Sequence, residues 1–152
     1  MIFFDLDGVI RNLCGIDRGN WQRWDDRIDG KTVVDYVNSD LSLLYHAPTT
    51  EYYPVICELQ RINIITCQPE SWRPYTMAWL SIHNERGNIS VQFVSHADEK
   101  LALLNEGDLL VEDYPLFEDY SKIVLIDYPY NQNVKGEVAR IKTPDELRRF
   151  LA

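Results

Sequence analysis

Two aspartates spaced i, i+2, Asp5 and Asp7, follow the apolar run Met1-Ile2-Phe3-Phe4 and precede Gly8. Along a continuing strand they would share one face, because side chains alternate with period two. Gly8 is a turn-former, so the chain is expected to leave the sheet there. Two carboxylates at the carboxyl end of a strand suit a metal site, or a nucleophile beside an acid/base. A calcium loop fits less well. The stretch from Asp5 to Ile16 lacks the third acidic ligand and the closing Glu of an EF-hand. The plainest alternative is a solvated turn after an edge strand.

The elements that must position these groups follow from the apolar pattern. Strands are expected at 1–5, 62–67, 89–95, 108–113 and 122–127, short and mostly apolar as parallel strands covered on both faces tend to be. Helical stretches are expected at 51–60, 74–84 and 97–105, with a short turn near 116–120. Gly87 and Gly107 fall where helices should stop. Thr143-Pro144-Asp145-Glu146 reads as a helix start, with Thr143 as N-cap, Pro144 in the first turn and Glu146 completing a capping box. Leu147, Phe150 and Leu151 then form one apolar stripe. The alternation predicts an α/β fold, a Rossmann-like parallel sheet flanked by helices.

Residues 11–47 break the alternation and are too long for an ordinary connection. Trp21 to Arg27, and Val33, Val34, Tyr36 and Val37 beyond Gly30, read as two short helices joined at Asp29-Gly30. The expected division is an α/β core of 1–10 and 48–152, with a small helical cap inserted at 11–47. An irregular surface excursion is the other reading.

In an open α/β sheet, ligands bind outside the carboxyl ends of the strands. The second strand ends near Thr66. The third ends at Ser95, with Lys100 just inside the next helix. The fourth ends in Glu112-Asp113. Singly, each has a structural reading: a β-branched strand residue, a solvated helix lysine beside Glu99, an acidic turn. Jointly, they gather at one edge of the sheet.

The chain has 152 residues, one ordinary domain with or without a small insertion, and 45% hydrophobic residues, enough for a sizeable core. A net charge of -9 argues against a general polyanion-binding surface, so no nucleic-acid polymer is expected as partner. It leaves room for a small phosphorylated molecule, because a bound cation inverts the local field. No apolar run approaches the ~20 residues that span a membrane, and no basic region precedes the first strand, so neither membrane segment nor signal peptide is expected. Cys14, Cys57 and Cys67 have no metal-type spacing and read as reduced thiols of a cytoplasmic protein. Packing is the plain role for Cys67, though its place after Thr66 would make it sensitive to oxidation. His46, His83 and His96 form no cluster.

Asp5-Leu6-Asp7-Gly8-Val9 resembles the first motif of the haloacid dehalogenase-like (HAD) phosphatase superfamily, many of whose members carry a helical cap after the first strand. The strand-end residues match its four motifs in order: DxDG, then Thr66, then Lys100, then the acidic pair Glu112-Asp113. The resemblance runs from Met1 to about Asn131. It implies a magnesium-dependent (Mg2+) phosphomonoesterase working through an aspartyl-phosphate. A phosphate monoester dianion repels an anionic nucleophile, so a cation must cancel that repulsion. By the resemblance, Asp5 is the nucleophile, and Asp5, the backbone carbonyl of Asp7, and Glu112 or Asp113 hold the metal. Thr66 and Lys100 meet the phosphoryl oxygens. Asp7 protonates the leaving alkoxide and then deprotonates the attacking water. A leaving halide needs no proton, so Asp7 favours phosphoryl transfer over dehalogenation.

Side motifs are similar to the 5'(3')-deoxyribonucleotidase-like branch: Leu109 to Asp113 running into Tyr114-Pro115, Ile123 to Asp127 running into Tyr128-Pro129-Tyr130-Asn131, and Ala47-Pro48. The acidic pair departs from that branch, which usually carries Asp-Asp. Ordinary turn chemistry, with Pro ending an element, also accounts for these motifs. The branch implies a nucleoside monophosphate. Trp21, Trp24 and Tyr36 would stack on a base, Arg11, Arg18, Arg23 and Arg27 would meet phosphate, and Trp72 would line the same pocket. The same aromatics could instead form the cap's own core. A nucleic-acid-end phosphatase, which would need a local basic cleft, and a catalytically silent HAD-like binding protein are the alternatives. A homodimer is left open.

Overall fold

In a computed structural model of the chain, residues 1–19, 23 and 25–152 are described. Six strands form one parallel sheet: Ile2–Phe4 (β1), Ile62–Cys67 (β2), Ile89–Val94 (β3), Leu109–Glu112 (β4), Ile123–Ile126 (β5) and Ala139–Ile141 (β6). Their order is β3-β2-β1-β4-β5-β6, with every pairing parallel. The winding reverses between β1 and β4. Such a switch point opens a crevice at the carboxyl ends of the two strands, where ligands bind in doubly wound sheets.

The helices are Val33–Ser39 (α1), Ser42–His46 (α2), Tyr53–Ile56 (α3), Arg73–His83 (α4), Ala97–Ala102 (α5) and Pro144–Leu151 (α6). Alternate residues of the central strands serve opposite layers. Phe4, Ile64, Val111, Val124 and Ile126 pack with Tyr52, Val55, Ile56, Trp79, Leu80 and Leu147, from α3, α4, α6 and their surroundings. Ile65, Leu110, Ile123 and Leu125 pack on the other face, with Leu104, Phe117, Tyr120 and Val134, and with Ala97 and Leu101 of α5. β5 is buried throughout, as a strand covered on both faces must be.

The inserted segment has its own apolar cluster: Leu13, Ile16, Val33, Val37, Leu44 and Ala47, closed by Trp72 from the core. Among the described residues its organisation differs from two helices joined at Asp29-Gly30; Trp21, Gln22 and Trp24 of the expected first helix lie outside them. Asp29 (φ 52°) and Gly30 (φ 77°) are both left-handed and form a tight turn between bridged Ile28 and Lys31. Among the described residues of the segment, a 3-10 stretch, Leu13–Gly19, comes before that turn, and α1 and α2 follow it. Thr32 and Asp35 cap α1 reciprocally.

Four further points differ from expectation. The helix over 51–60 is one α turn, Tyr53–Ile56. The stretch 116–120 is irregular, because the Tyr120 hydroxyl organises it by accepting from the Phe117 amide and donating to the Tyr114 carbonyl. β6 was not foreseen. At α6, Thr143 caps the Glu146 amide, but Glu146 returns its bond to the Lys142 amide. No described helix is long and apolar enough to cross a membrane.

Candidate active site

The register brings the acids together. Phe4 lies between Ile64 and Val111, so the next residues, Asp5 and Glu112, leave adjacent strands at one level. The Asp5 amide still donates to the Val111 carbonyl, at 2.9 Å, which fixes its direction. The chain then turns, with the Ile10 and Arg11 amides both donating to the Leu6 carbonyl. Gly8, at φ 92°, lies against the acid pair, and a Cβ there would overlap the Asp113 carboxylate. Both its φ and its contact demand glycine.

Lys100 comes from α5, where Glu99 is engaged at the His96 amide as the capping residue. Its ammonium is 2.8 Å from Asp5 Oδ1 and 2.7 Å from Glu112 Oε2, and only 3% of the residue is exposed. Burial alone would lower the Lys100 pKa, but Asp5 and Glu112 outweigh it and hold the ammonium charged. One ammonium cannot satisfy two buried carboxylates. Desolvation first, and the Glu112 charge second, push Asp5 well above the usual carboxylate range. Desolvation, with Asp113 adding to it, likewise pushes Glu112 up.

Asp7 faces a different partner. Arg11 Nε donates to Asp7 Oδ1 at 2.5 Å and Nη2 to Oδ2 at 2.9 Å, while Nη1 donates to Thr76 Oγ1 at 3.1 Å. The guanidinium also lies 5.7 Å from the Trp79 ring centroid. The Thr76 hydroxyl donates to Gln68 Oε1, and Gln68 Nε2 reaches Thr66 Oγ1 at 3.5 Å. A buried polar chain thus joins Asp7 to Thr66. Arg11 corrects the expectation that it faces a substrate phosphate: it is fully buried and holds the Asp7 carboxylate from behind. The i, i+4 spacing of Asp7 and Arg11 was the signal available for that pairing.

The two acids of the pair are built differently. Glu112 Oε1 accepts from the Asp113 and Tyr114 amides, and Oε2 accepts from Lys100. Asp113 accepts from the Tyr130 hydroxyl, and its carbonyl accepts from Asn131 Nδ2 at 3.0 Å. Tyr128 donates to the Gly8 carbonyl at 2.8 Å. These three partners, in the turn after β5, were not assigned to the site from sequence.

Asp5, Glu112 and Asp113 each place one carboxylate oxygen within 4.8 Å of the others. All three residues are buried, and Asp5 Oδ1, though ion-paired, receives no directed hydrogen bond. When ionised, the trio exceeds the single Lys100 charge by two, the charge a divalent cation balances. An oxygen-only donor set suits a hard cation such as magnesium. The three carboxylates fit such an ion, with Glu112 also accepting from Lys100. The Asp7 side chain lies outside this cluster.

Asp5, Asp7, Thr66, Lys100, Glu112 and Asp113 all line one cavity of about 1010 Å³, together with Trp72, Tyr114, Tyr130 and Lys135. Trp72 has its indole N–H on Asn38 Oδ1 at 2.8 Å, so it belongs to the inserted segment's core as well as to the cavity. Tyr36 packs against that same core. Arg23 lines the cavity and pairs with Asp25 at 3.2 Å, whereas Arg27 donates to the Gly30 carbonyl. Trp21, Trp24 and the side chain of Arg18 lie outside the described residues.

Comparison of the sequence with models of known protein families and with curated proteins finds no match to either.

Proposed function

We propose that the chain is a magnesium-dependent phosphomonoesterase of the HAD type, acting through an aspartyl-phosphate. The observation that carries the reading is the Lys100 ammonium set between Asp5 and Glu112, with Asp113 completing a buried carboxylate trio at the sheet's switch point. A lysine with two buried anions is costly to fold around, and the arrangement suits a site that meets further charge in the form of a cation and a phosphate. Magnesium held by Asp5 and Asp113 would neutralise phosphoryl charge as Asp5 approaches.

In this reading a carboxylate oxygen of Asp5 attacks phosphorus. The bond from phosphorus to the leaving oxygen breaks, and that oxygen takes a proton from Asp7. Water then loses a proton to Asp7 and attacks the phosphorus, and the bond to Asp5 breaks, releasing phosphate. Both oxygens of Asp7 accept from Arg11, so it must turn at least one of them towards the cavity to serve as acid. Lys100 and the Thr66 hydroxyl bear on the phosphoryl oxygens.

A nucleoside monophosphate suits the cavity's size and its aromatic members Trp72 and Tyr114, with Lys135 as a further cation. Three free cysteines accord with a cytoplasmic setting.

The test is phosphate release from nucleoside monophosphates, deoxynucleotides and sugar phosphates, with magnesium and with chelator. Release from one nucleotide class that needs magnesium is expected. No magnesium-dependent release from any of them overturns the reading.

A further inference from the structure

The turn after β5, Tyr128-Pro129-Tyr130-Asn131, touches the candidate metal site from behind at three points. The Tyr130 hydroxyl donates to Asp113 Oδ2. Asn131 Nδ2 donates to the Asp113 carbonyl at 3.0 Å and to the Ile126 carbonyl at 2.8 Å. The Tyr128 hydroxyl donates to the Gly8 carbonyl at 2.8 Å, across 120 residues of chain. We propose that this turn is a positioning clamp that presets the loop of Asp5 to Gly8 and Asp113 at the separation a small divalent cation requires.

The turn is itself held rigid. Pro129 opens a 3-10 turn, Pro129–Asn131, and the two tyrosine rings stack with centroids 5.2 Å apart and planes 14° apart. Asn131 Oδ1 accepts from the Tyr128 amide at 3.0 Å and from Arg140 Nη1 at 3.2 Å. Arg140 stands on β6 and also donates to the Asn131 and Val134 carbonyls. The edge strand therefore braces the turn, and the turn braces two segments that no strand pairing ties together beyond Val111. Magnesium demands near-ideal octahedral geometry, so ligands left free to drift bind it weakly. Hydrogen bonds from outer partners to metal-binding carboxylates contribute about tenfold to about hundredfold in metal affinity.

The proposal rests on the metal site of the preceding reading, and its test needs no phosphate ester. Magnesium chloride is titrated calorimetrically into metal-free wild type, Tyr130→Phe, Tyr128→Phe and Tyr53→Phe. Each unfolding midpoint is measured in chelator. Tyr53, whose hydroxyl donates to the His83 carbonyl, controls for the loss of a phenol elsewhere. The expected result is a magnesium Kd raised about tenfold or more in Tyr130→Phe, raised in the same sense in Tyr128→Phe and unchanged in Tyr53→Phe. Chelated midpoints should move no further than in the control, whereas a merely structural role would lower them and leave Kd alone. Should Tyr130→Phe not fold, Tyr128→Phe decides. Wild-type Kd in both variants overturns the clamp and leaves the phosphatase reading standing. A wild type that binds no magnesium overturns the clamp and the metal site together. Magnesium binding with no phosphate release from any ester counts against the phosphatase reading alone.

Discussion

Under the proposed phosphatase reading, Asp5 is the residue on which the chemistry and the stability of the site pull in opposite directions. Its carboxylate is desolvated, sits beside Glu112, and carries an oxygen with no directed hydrogen bond. A neutral amide of the same shape removes the repulsion while Lys100 keeps Glu112. Asp5→Asn is therefore expected to abolish turnover and to leave the unfolding midpoint in chelator unchanged or higher. Phosphate release and thermal unfolding on the same purified sample check this. Retained hydrolysis by that sample would remove Asp5 as nucleophile, and a large fall in midpoint would contradict the account of its electrostatics. The same reasoning separates the acid pair. Glu112 has both oxygens committed to Lys100 and two backbone amides, so its work is to hold the lysine. Asp113 meets the Gly8 loop and Tyr130.

At the scale of elements, the site depends on two segments lying closer than side chains ordinarily permit. Gly8→Ala would force a Cβ into the Asp113 carboxylate at a backbone φ of 92°. It is expected to cost about 1–3 kcal/mol of stability and to weaken magnesium binding as Asp113 is displaced. Gly87→Ala, at φ 63° with nothing near its Cβ, carries the strain without the contact and should leave magnesium binding alone. Denaturant unfolding and metal titration of both variants separate the two effects. The same contrast between local and distant causes explains what was legible in the sequence. β2, β4 and β5 are dominated by Ile, Leu and Val, and the carboxyl ends of β2 and β4 carry Thr66 and the acid pair in plain view. β6 is three residues, Ala139-Arg140-Ile141, and its arginine turns to Asn131 and Asp127, so no apolar run marks it. Tyr128, Tyr130 and Asn131 reach the site through bonds spanning 17 to 120 residues, which no local pattern encodes. Arg11 read as a phosphate-binding cation because its i, i+4 spacing from Asp7 offers the pairing but does not report that both groups are buried.

Across the whole molecule, acidic residues outnumber basic ones by 24 to 15, and many of the acids hold local structure. Hydrogen bonds from Thr32, Ser42 and Ser121 hold Asp35, Asp40 and Asp119 below the usual carboxylate range. Asp127 is pushed up by partial burial, but bonds from Arg140 and Gln132 outweigh that and lower it. Glu137 follows the same balance through its backbone bond and Arg140. A group whose folded pKa lies below its unfolded value gives stability that is present above the unfolded value and lost as pH falls through the folded one. For Asp127 that window opens below its ordinary 3.8. Asp127→Asn should therefore cost about 1 kcal/mol near neutral pH, where Arg140 loses a charged partner, and nothing once both proteins carry a neutral side chain there. Urea unfolding of wild type and Asp127→Asn from about pH 6 to about pH 2.5 measures the difference directly, provided both still fold at the lower limit. The two stability curves should converge as the pH drops below the ordinary carboxylate range. A constant gap at all pH values would mean that Asp127 acts through packing, and that the Arg140 brace behind the Tyr128 to Asn131 turn does not depend on this ion pair.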